Sequence, residues 1–305
     1  MKKLHSCLVG LLLTTLLTTL LIGCGSNSGG ETQPAPLQTG DTPFPNNALL
    51  ASPANVDTSQ AIVIDARTLT EYTAGHIPGA ISAPIIMFED SKGVLLGDGE
   101  LQVQLGKLGI TPTSKIIIYD KATDTNSAAG RLFWILKYMG CNDVSILNGG
   151  WDKWIAYDHD WTTAVTALPE TVFTGQPSDT TKIAVKADIV KHFLHSTESG
   201  YVLIDVRTKE EYERGHIPGA YNFPYSNCFN PDRTVLKVEE LKPLLAPYTD
   251  KEMIVYSNKN HRGGFFYFLC QLMNYPNVTI YLGSIEDWIE ANPDAYTLVS
   301  GNSRY

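Results

Sequence analysis

AIVIDARTLTEYTAGHIPGAISAPI, residues 61–85, recurs as YVLIDVRTKEEYERGHIPGAYNFPY, residues 201–225. Asp65 matches Asp205, Arg67 matches Arg207, and Glu71-Tyr72 matches Glu211-Tyr212. Both copies carry Gly-His-Ile-Pro-Gly-Ala. An internal match of this length implies two homologous domains. The apolar runs ending at Ile64 and Ile204 predict buried strands. Thr68–Ala74 and Thr208–Arg214 predict short helices, which Gly75 and Gly215 can end. Ile-Pro-Gly-Ala then predicts a tight turn into another short strand.

Working outward, KIIIYD at 115–120 and EMIVYS at 252–257 predict a second strand in each half. Each leads into an apolar helical stretch, AAGRLFWILKYMG in the first half and GGFFYFLCQLMNY in the second. VSILNGGWDKW at 144–154 and VTIYLGSIEDW at 278–288 follow. Strand, loop and helix alternate throughout. That pattern predicts two α/β domains, each a largely parallel sheet with helices on both faces. The expected boundaries are 58–165 and 183–300, with 166–182 as the linker.

These motifs, in this order, resemble the tandem rhodanese family, the thiosulfate or 3-mercaptopyruvate sulfurtransferases. The resemblance spans nearly all of residues 58–300. The late Gly-Gly-Trp-x-x-Trp of the first domain reads Gly283-Ser284-Ile285-Glu286-Asp287-Trp288 in the second. Within the family, the aspartate–arginine pairs and the two motif histidines, His76 and His216, resemble scaffold around the active loop. Trp151, Trp154 and Trp288 fit packing, as large rings without a ligand signature do.

In active relatives the strand before the helix ends at a cysteine. A short loop folds around its sulfur, with an arginine commonly five positions on, and the cysteine takes sulfur from an anionic donor as a persulfide. Here MIVYSNKNHRGG, residues 253–264, keeps the loop length but places Ser257 at the cysteine position and Arg262 at the arginine position. The resemblance makes Ser257 and Arg262 the family-equivalent catalytic positions, and Asn258, Lys259, Asn260 and His261 the substrate-binding loop. An alcohol cannot form a persulfide. In the first domain the equivalent position is Asp120, and the loop to Ala128 is longer. Asp120, Asp124 and Asp143 form no carboxylate pair or calcium loop. No cofactor and no metal are expected.

The departure at Ser257 favours a pseudo-sulfurtransferase that binds an oxyanion, a sulfur-bearing partner or an envelope protein. The alternative is an active thiosulfate or 3-mercaptopyruvate sulfurtransferase using an atypical thiol. Cys270 reads as a core thiol on a helix, and Cys141 has no anion loop beside it. Cys228, in the excursion PYSNCFNPDR, is the candidate reactive thiol, because loops at the C-terminal ends of parallel strands commonly meet at a ligand site.

MKKLHSCLVGLLLTTLLTTLLIG, residues 1–23, reads as an export signal. Leu21-Ile22-Gly23-Cys24 resembles a bacterial lipobox, which makes Cys24 the expected lipidation site and the bilayer a partner through its acyl chains. Residues 24–57 are rich in Gly, Ser, Pro, Asn and Thr and read as a tether. The expected location is the exported side of the bacterial cell envelope. The formal charge is −9, and loss of residues 1–23 removes two lysines and no acid. That sign excludes wrapping of nucleic acid, which needs cations against phosphates.

Overall fold

The computed structural model of the chain describes residues 42–121, 127–175, 178–194, 200–290 and 296–305. Strands β1 (Leu50–Ala51), β2 (Ile62–Asp65), β3 (Ile81–Ser82), β4 (Ile116–Tyr119) and β5 (Val144–Leu147) form one sheet in the order β1-β5-β4-β2-β3. Strands β6 (Ile183–Ala184), β7 (Tyr201–Asp205), β8 (Tyr221–Asn222), β9 (Glu252–Tyr256) and β10 (Val278–Tyr281) form a second, in the order β6-β10-β9-β7-β8. Every pairing in both sheets is parallel. The two orders are the same pattern, as the sequence repeat requires.

Parallel strands need crossovers, and helices supply them. In the first domain these are α1 (Leu69–Ala74), α2 (Asp98–Lys107), α3 (Ala128–Tyr138) and α4 (Gly150–Ala156). In the second they are α5 (Lys186–Ile189), α6 (Lys209–Arg214), α7 (Val238–Leu245), α8 (His261–Leu272) and α9 (Ser284–Glu290). Alternate residues of each central strand face opposite helical layers. Ile64, Ile116 and Ile118 join α2 and α3 in one core, while Val63 and Ile117 join Trp154 of α4 in another. In the second domain Ile204, Met253 and Val255 face α7 and α8, and Leu203, Ile254 and Tyr256 face Tyr212 of α6 and Trp288 of α9. Helices therefore cover both faces of each sheet.

The layer holding α3 and α8 is shared. One buried cluster runs from Ile64 and Leu132 through to Phe265 and Ile280, so the two domains have a common core. Phe133 meets Phe268 edge-on at 5.1 Å. The helices approach backbone to backbone. A Cβ on Gly130 would lie 2.5 Å from the Phe265 Cα, and one on Gly264 would lie 2.6 Å from the Gly130 carbonyl oxygen. Glycine at both crossing points is what permits this contact.

The described end of the expected tether, residues 42–57, is not free. Leu50–Ala51 adds a strand to the edge of β5. The Asn46 amide donates to Leu272 O at 3.0 Å, and its Nδ2 to Gln271 O at 2.6 Å, which ties the segment to the end of α8. Leu49 and Leu50 repay the ordering by packing on the core. The linker is seated as well: Thr171 N donates to Gly106 O at 2.9 Å, and Phe173 is buried in the shared core.

The motif residues form a matched scaffold in each half. Arg67 Nη2 donates to Asp65 at 2.6 Å and to Gly75 O at 2.7 Å. Arg207 repeats both contacts with Asp205 and Gly215 O. The ring nitrogens of His76 lie 2.8 and 3.0 Å from Tyr72 O and Ala164 O. Those of His216 lie 2.9 Å from Tyr212 O and 2.9 Å from Ser303 O. Each histidine fastens the turn to a later stretch of chain, with no face turned to a ligand.

Candidate active loop between the domains

Tyr256 ends β9 and His261 starts α8, so Ser257, Asn258, Lys259 and Asn260 make the turn. Asn260 supplies the reversal, at φ 59° and ψ 15°. Asparagine enters this left-handed region more readily than most residues. Its Nδ2 donates to Tyr281 O at 2.7 Å and to Leu282 O at 2.9 Å, anchoring the turn to the end of β10. The Ser257 carbonyl accepts from Ile285 N at 3.2 Å, a second tie to the same neighbour. Ser257 and Asn260 are buried, whereas Lys259 is exposed.

Arg262 is 8% exposed and paired with Glu211. Nη1 donates to Glu211 Oε2 at 2.5 Å and Nη2 to Glu211 Oε1 at 2.9 Å, a bidentate pair. Asn258 Nδ2 adds a contact to Oε1 at 3.1 Å. The guanidinium bonds, helped by the Thr208 amide, hold the Glu211 carboxyl down to about 2 against the penalty of burial. Arg262 thus orients the loop on α6 and has its charge matched, rather than standing open to an anion. Sequence reasoning aligned Glu211 with Glu71 but gave neither a role. The signal was the recurrence of that glutamate, but its partner appears only when α6 and α8 are placed side by side.

A second charged group crosses between the domains. His261 Nε2 lies 3.2 Å from Glu89 Oε1, and Arg131 Nε from the first turn of α3 lies 3.4 Å from the same oxygen. Glu89 and Arg131 were not singled out in the sequence, because each lies in the other domain from the loop it meets. Asn258 and Lys259, with Lys92, Gly93 and Arg131 of domain one, line a cleft of about 330 Å³. A space of this size suits a small ligand. Among the described residues no three His, Cys, Asp or Glu side chains converge as metal ligands.

The loop of domain one is built differently. Asp120 Oδ2 accepts from Ala129 N at 2.9 Å, so the protein's own carboxylate sits at the start of α3. That acid fills the place an anionic ligand would take, with favourable helix-dipole interaction. Lys121 pairs with Glu71 at 3.8 Å across the surface.

The structure does not bring Cys228 to the 257–262 loop. It ends a short 3-10 turn, Tyr225–Cys228, and points into the shared core, where it is 0% exposed. Burial pushes its thiol well up from the ordinary range. Tyr225 and Phe229, on either side of it in the chain, line a small cleft with Asp120 and Lys121 of domain one, and Cys228 itself does not line it. Cys141 and Cys270 are also buried and free. Cys24 and Asp124 lie outside the described residues. No helix among the described residues is long and apolar enough to cross a membrane.

With this geometry in hand, likeness to known proteins adds the chemistry of the fold. The rhodanese-like domain family matches twice, over residues 51–157 and 187–291. The chain is 31% identical over 240 residues to the sulfur carrier protein TtuD of Thermus thermophilus, covering 71% of this chain and 83% of that protein. It is 29% identical to a thiosulfate sulfurtransferase of Pseudomonas aeruginosa, covering 75% and 88%. Among solved structures it matches EanB holding ergothioneine covalently linked with a cysteine persulfide, with TM-score 0.70 and 26% identity, over 81% of this chain and 66% of that one. These findings correct the expectation of a pseudo-sulfurtransferase. The matched fold is a persulfide-handling catalytic fold in its relatives, and the likeness favours the active alternative. Two matched sheets, two complete sets of motif contacts and a family match over both halves agree: the chain belongs to the rhodanese-like family.

Proposed function

We propose that this protein is an active sulfurtransferase that moves sulfane sulfur from a small anionic donor to a thiol acceptor, either a small molecule or a sulfur-bearing protein. The observation that carries the reading is the likeness of the two-domain fold to a protein solved with a cysteine persulfide, at TM-score 0.70 and 26% identity over 81% of this chain. Relatives named as thiosulfate sulfurtransferases and as a sulfur carrier support the same class of chemistry.

The thiol in this reading is Cys228. Its thiolate attacks the outer sulfur of thiosulfate; the S–S bond of the donor breaks, sulfite leaves with the electron pair, and the cysteine keeps one sulfur as a persulfide. An acceptor thiolate then attacks the outer persulfide sulfur and releases the Cys228 thiolate. Burial opposes the thiolate, so the reaction requires the Tyr225–Phe229 segment to move outward. Tyr225 and Phe229 line a cleft and Cys228 sits on the short turn between them, which makes it easier to expose than Cys270 inside α8.

Thiosulfate-dependent thiocyanate formation from cyanide tests the reading. Purified protein should turn over, Cys228→Ser should lose the activity, and Cys141→Ser should keep it. Folded wild-type protein with no turnover overturns the proposal. The bilayer anchor through Cys24 is a separate proposal, supported by the sequence of residues 1–24 alone. Metabolic labelling with a clickable fatty acid should mark the wild type and not Cys24→Ser, and equal labelling of both would refute it.

A further inference from the structure

Glu71 and Glu211 occupy equivalent places in the repeat, but only Glu211 has an arginine on it. The Arg262 guanidinium meets both of its oxygens, at 2.5 and 2.9 Å. Helices α3 and α8 align at their C-caps, Met139 and Met273. Counting back equally from those caps puts Ala128 where Arg262 stands. Domain one therefore keeps the carboxylate and lacks the cation. Glu71 holds the same capping box on Thr68, through Oε2. Among the described residues its Oε1 has one ion pair, with Lys121 Nζ 3.8 Å away, too long for a hydrogen bond.

The space beside Glu71 is an open cleft of about 410 Å³. Trp151, Ile155 and Trp161 line it together with Arg67 and Lys121. A Cβ on Gly75 would lie 3.0 Å from the Trp161 ring and 3.7 Å from the Trp151 ring, so both indoles converge over that glycine. The backbones of His76 and Thr162 exchange two hydrogen bonds of 2.9 Å, which fixes the chain beside Trp161. Trp161 is nevertheless 54% exposed. Domain two has Ile285 and Leu298 at these positions, and Leu298 packs against Gly215 as Trp161 does against Gly75. The half without the arginine is thus the half with two indoles. Aromatic faces beside a carboxylate suit a planar organic cation. Arg67 lies 4.4 Å from the Trp151 ring, but Asp65 matches its charge at 2.6 Å. Domain two carries the same arginine–aspartate pair, Arg207 with Asp205, and still takes Arg262 on Glu211.

We propose that the domain-one cleft binds a guanidinium group, which pairs with Glu71 and lies against the Trp151 and Trp161 indoles, as Arg262 pairs with Glu211 in domain two. The group enters on a small molecule or on an arginine side chain of another protein. The inference is independent of sulfur transfer and of any thiol.

Nuclear magnetic resonance of the full chain tests it, read at the side-chain N–H signals of nitrogen-labelled tryptophan. The probe is arginine blocked at both ends, and its citrulline counterpart is an uncharged control of the same shape. The arginine probe should move the Trp151 and Trp161 signals saturably and leave those of the buried Trp134 and Trp288 in place. Glu71→Gln should weaken binding by about tenfold, since it removes the ionic partner. Trp161→Leu, which copies domain two, should weaken it by about threefold. Lys121→Ala should bind at least as tightly as the wild type, because Lys121 competes for the same carboxylate. Glu71, Lys121 and Trp161 are all partly exposed, so these variants should keep the fold. An alanine peptide with one central arginine separates the sources. Affinity equal to that of the blocked residue supports a small-molecule ligand, and a clear gain supports a protein arginine. No shift of either indole signal, equal binding of the citrulline control, or unchanged affinity in both Glu71→Gln and Trp161→Leu overturns the proposal. Loss of binding in Lys121→Ala would also overturn it, since Lys121 would then be a ligand-holding group rather than a competitor.

Discussion

Glu211→Gln should destabilise the protein because it strips the counter-charge from a buried arginine while keeping nearly the same shape. In the wild type the carboxyl is lowered from its ordinary 4.5 to about 2, chiefly by the two Arg262 hydrogen bonds. Taken at face value that displacement corresponds to roughly 3 kcal/mol. The Glu211 side chain is 23% exposed, so solvent screening brings the expected loss to about 1–2 kcal/mol. The repeat supplies a control. Glu71 has the same helix-capping contacts with Thr68 that Glu211 has with Thr208. Its cationic partner is the surface Lys121, at 3.8 Å with both side chains more than a third exposed, so Glu71→Gln should cost about 0.5 kcal/mol or less. The pH dependence follows from the depressed pKa. The ionised form contributes its full stability above pH 4.5 and loses it as pH falls through about 2. Urea unfolding followed by tryptophan fluorescence reads all of this. Glu211→Gln should lie below Glu71→Gln at pH 7, and its deficit against wild type should shrink as pH drops below 4.5. Equal effects of the two substitutions at pH 7, or a deficit that does not change with pH, would refute the argument.

Ser257→Cys should gain a persulfide with thiosulfate and raise turnover on the order of tenfold, since a thiol there meets the turn and helix start of the loop; intact mass and thiocyanate formation check it. Asn260→Ala should cost about 2 kcal/mol, from two lost hydrogen bonds and the left-handed backbone, and Asn260→Gly about 1 kcal/mol less than that, measured by urea unfolding. Gly264→Ala should cost about 3 kcal/mol or prevent folding, because its Cβ would meet backbone of α3 that cannot yield; thermal unfolding reports it. Native Cys228 should react with an aromatic disulfide far more slowly than the same thiol in denaturant, and the gap should narrow if the Tyr225–Phe229 segment opens during turnover.

The architecture was legible because it is written twice. Asp65 with Arg67 and Asp205 with Arg207 recur at the same spacing, and two copies exclude chance. The scaffold reading of His76 and His216 was legible too, since a histidine between glycine and a rigid Ile-Pro-Gly turn has little freedom except to fasten it. Strand β1 was not. A two-residue strand has no periodicity, and only the open edge of β5 makes Leu50–Ala51 extend. Around the loop, turn chemistry was readable within MIVYSNKNHRGG, but its partners were not. Glu211 reaches Arg262 from α6, and Glu89 and Arg131 reach His261 and the cleft from the other domain. Those contacts depend on how α3 crosses α8, and neither repeat states that crossing by itself. Cys228 shows the converse. Its excursion looked like a site-forming loop, yet the turn rotates the thiol into the core, as it does Phe88 at the equivalent place in domain one.

The most direct measurement is the intact mass of the purified protein after incubation with thiosulfate, taken before and after a reductant. Active sulfur transfer through Cys228 predicts a species heavier by one sulfur atom, removed by the reductant, located to the Cys228 peptide and absent from Cys228→Ser. An unchanged mass in folded wild-type protein, under conditions where a known sulfurtransferase gains its persulfide, would contradict the account.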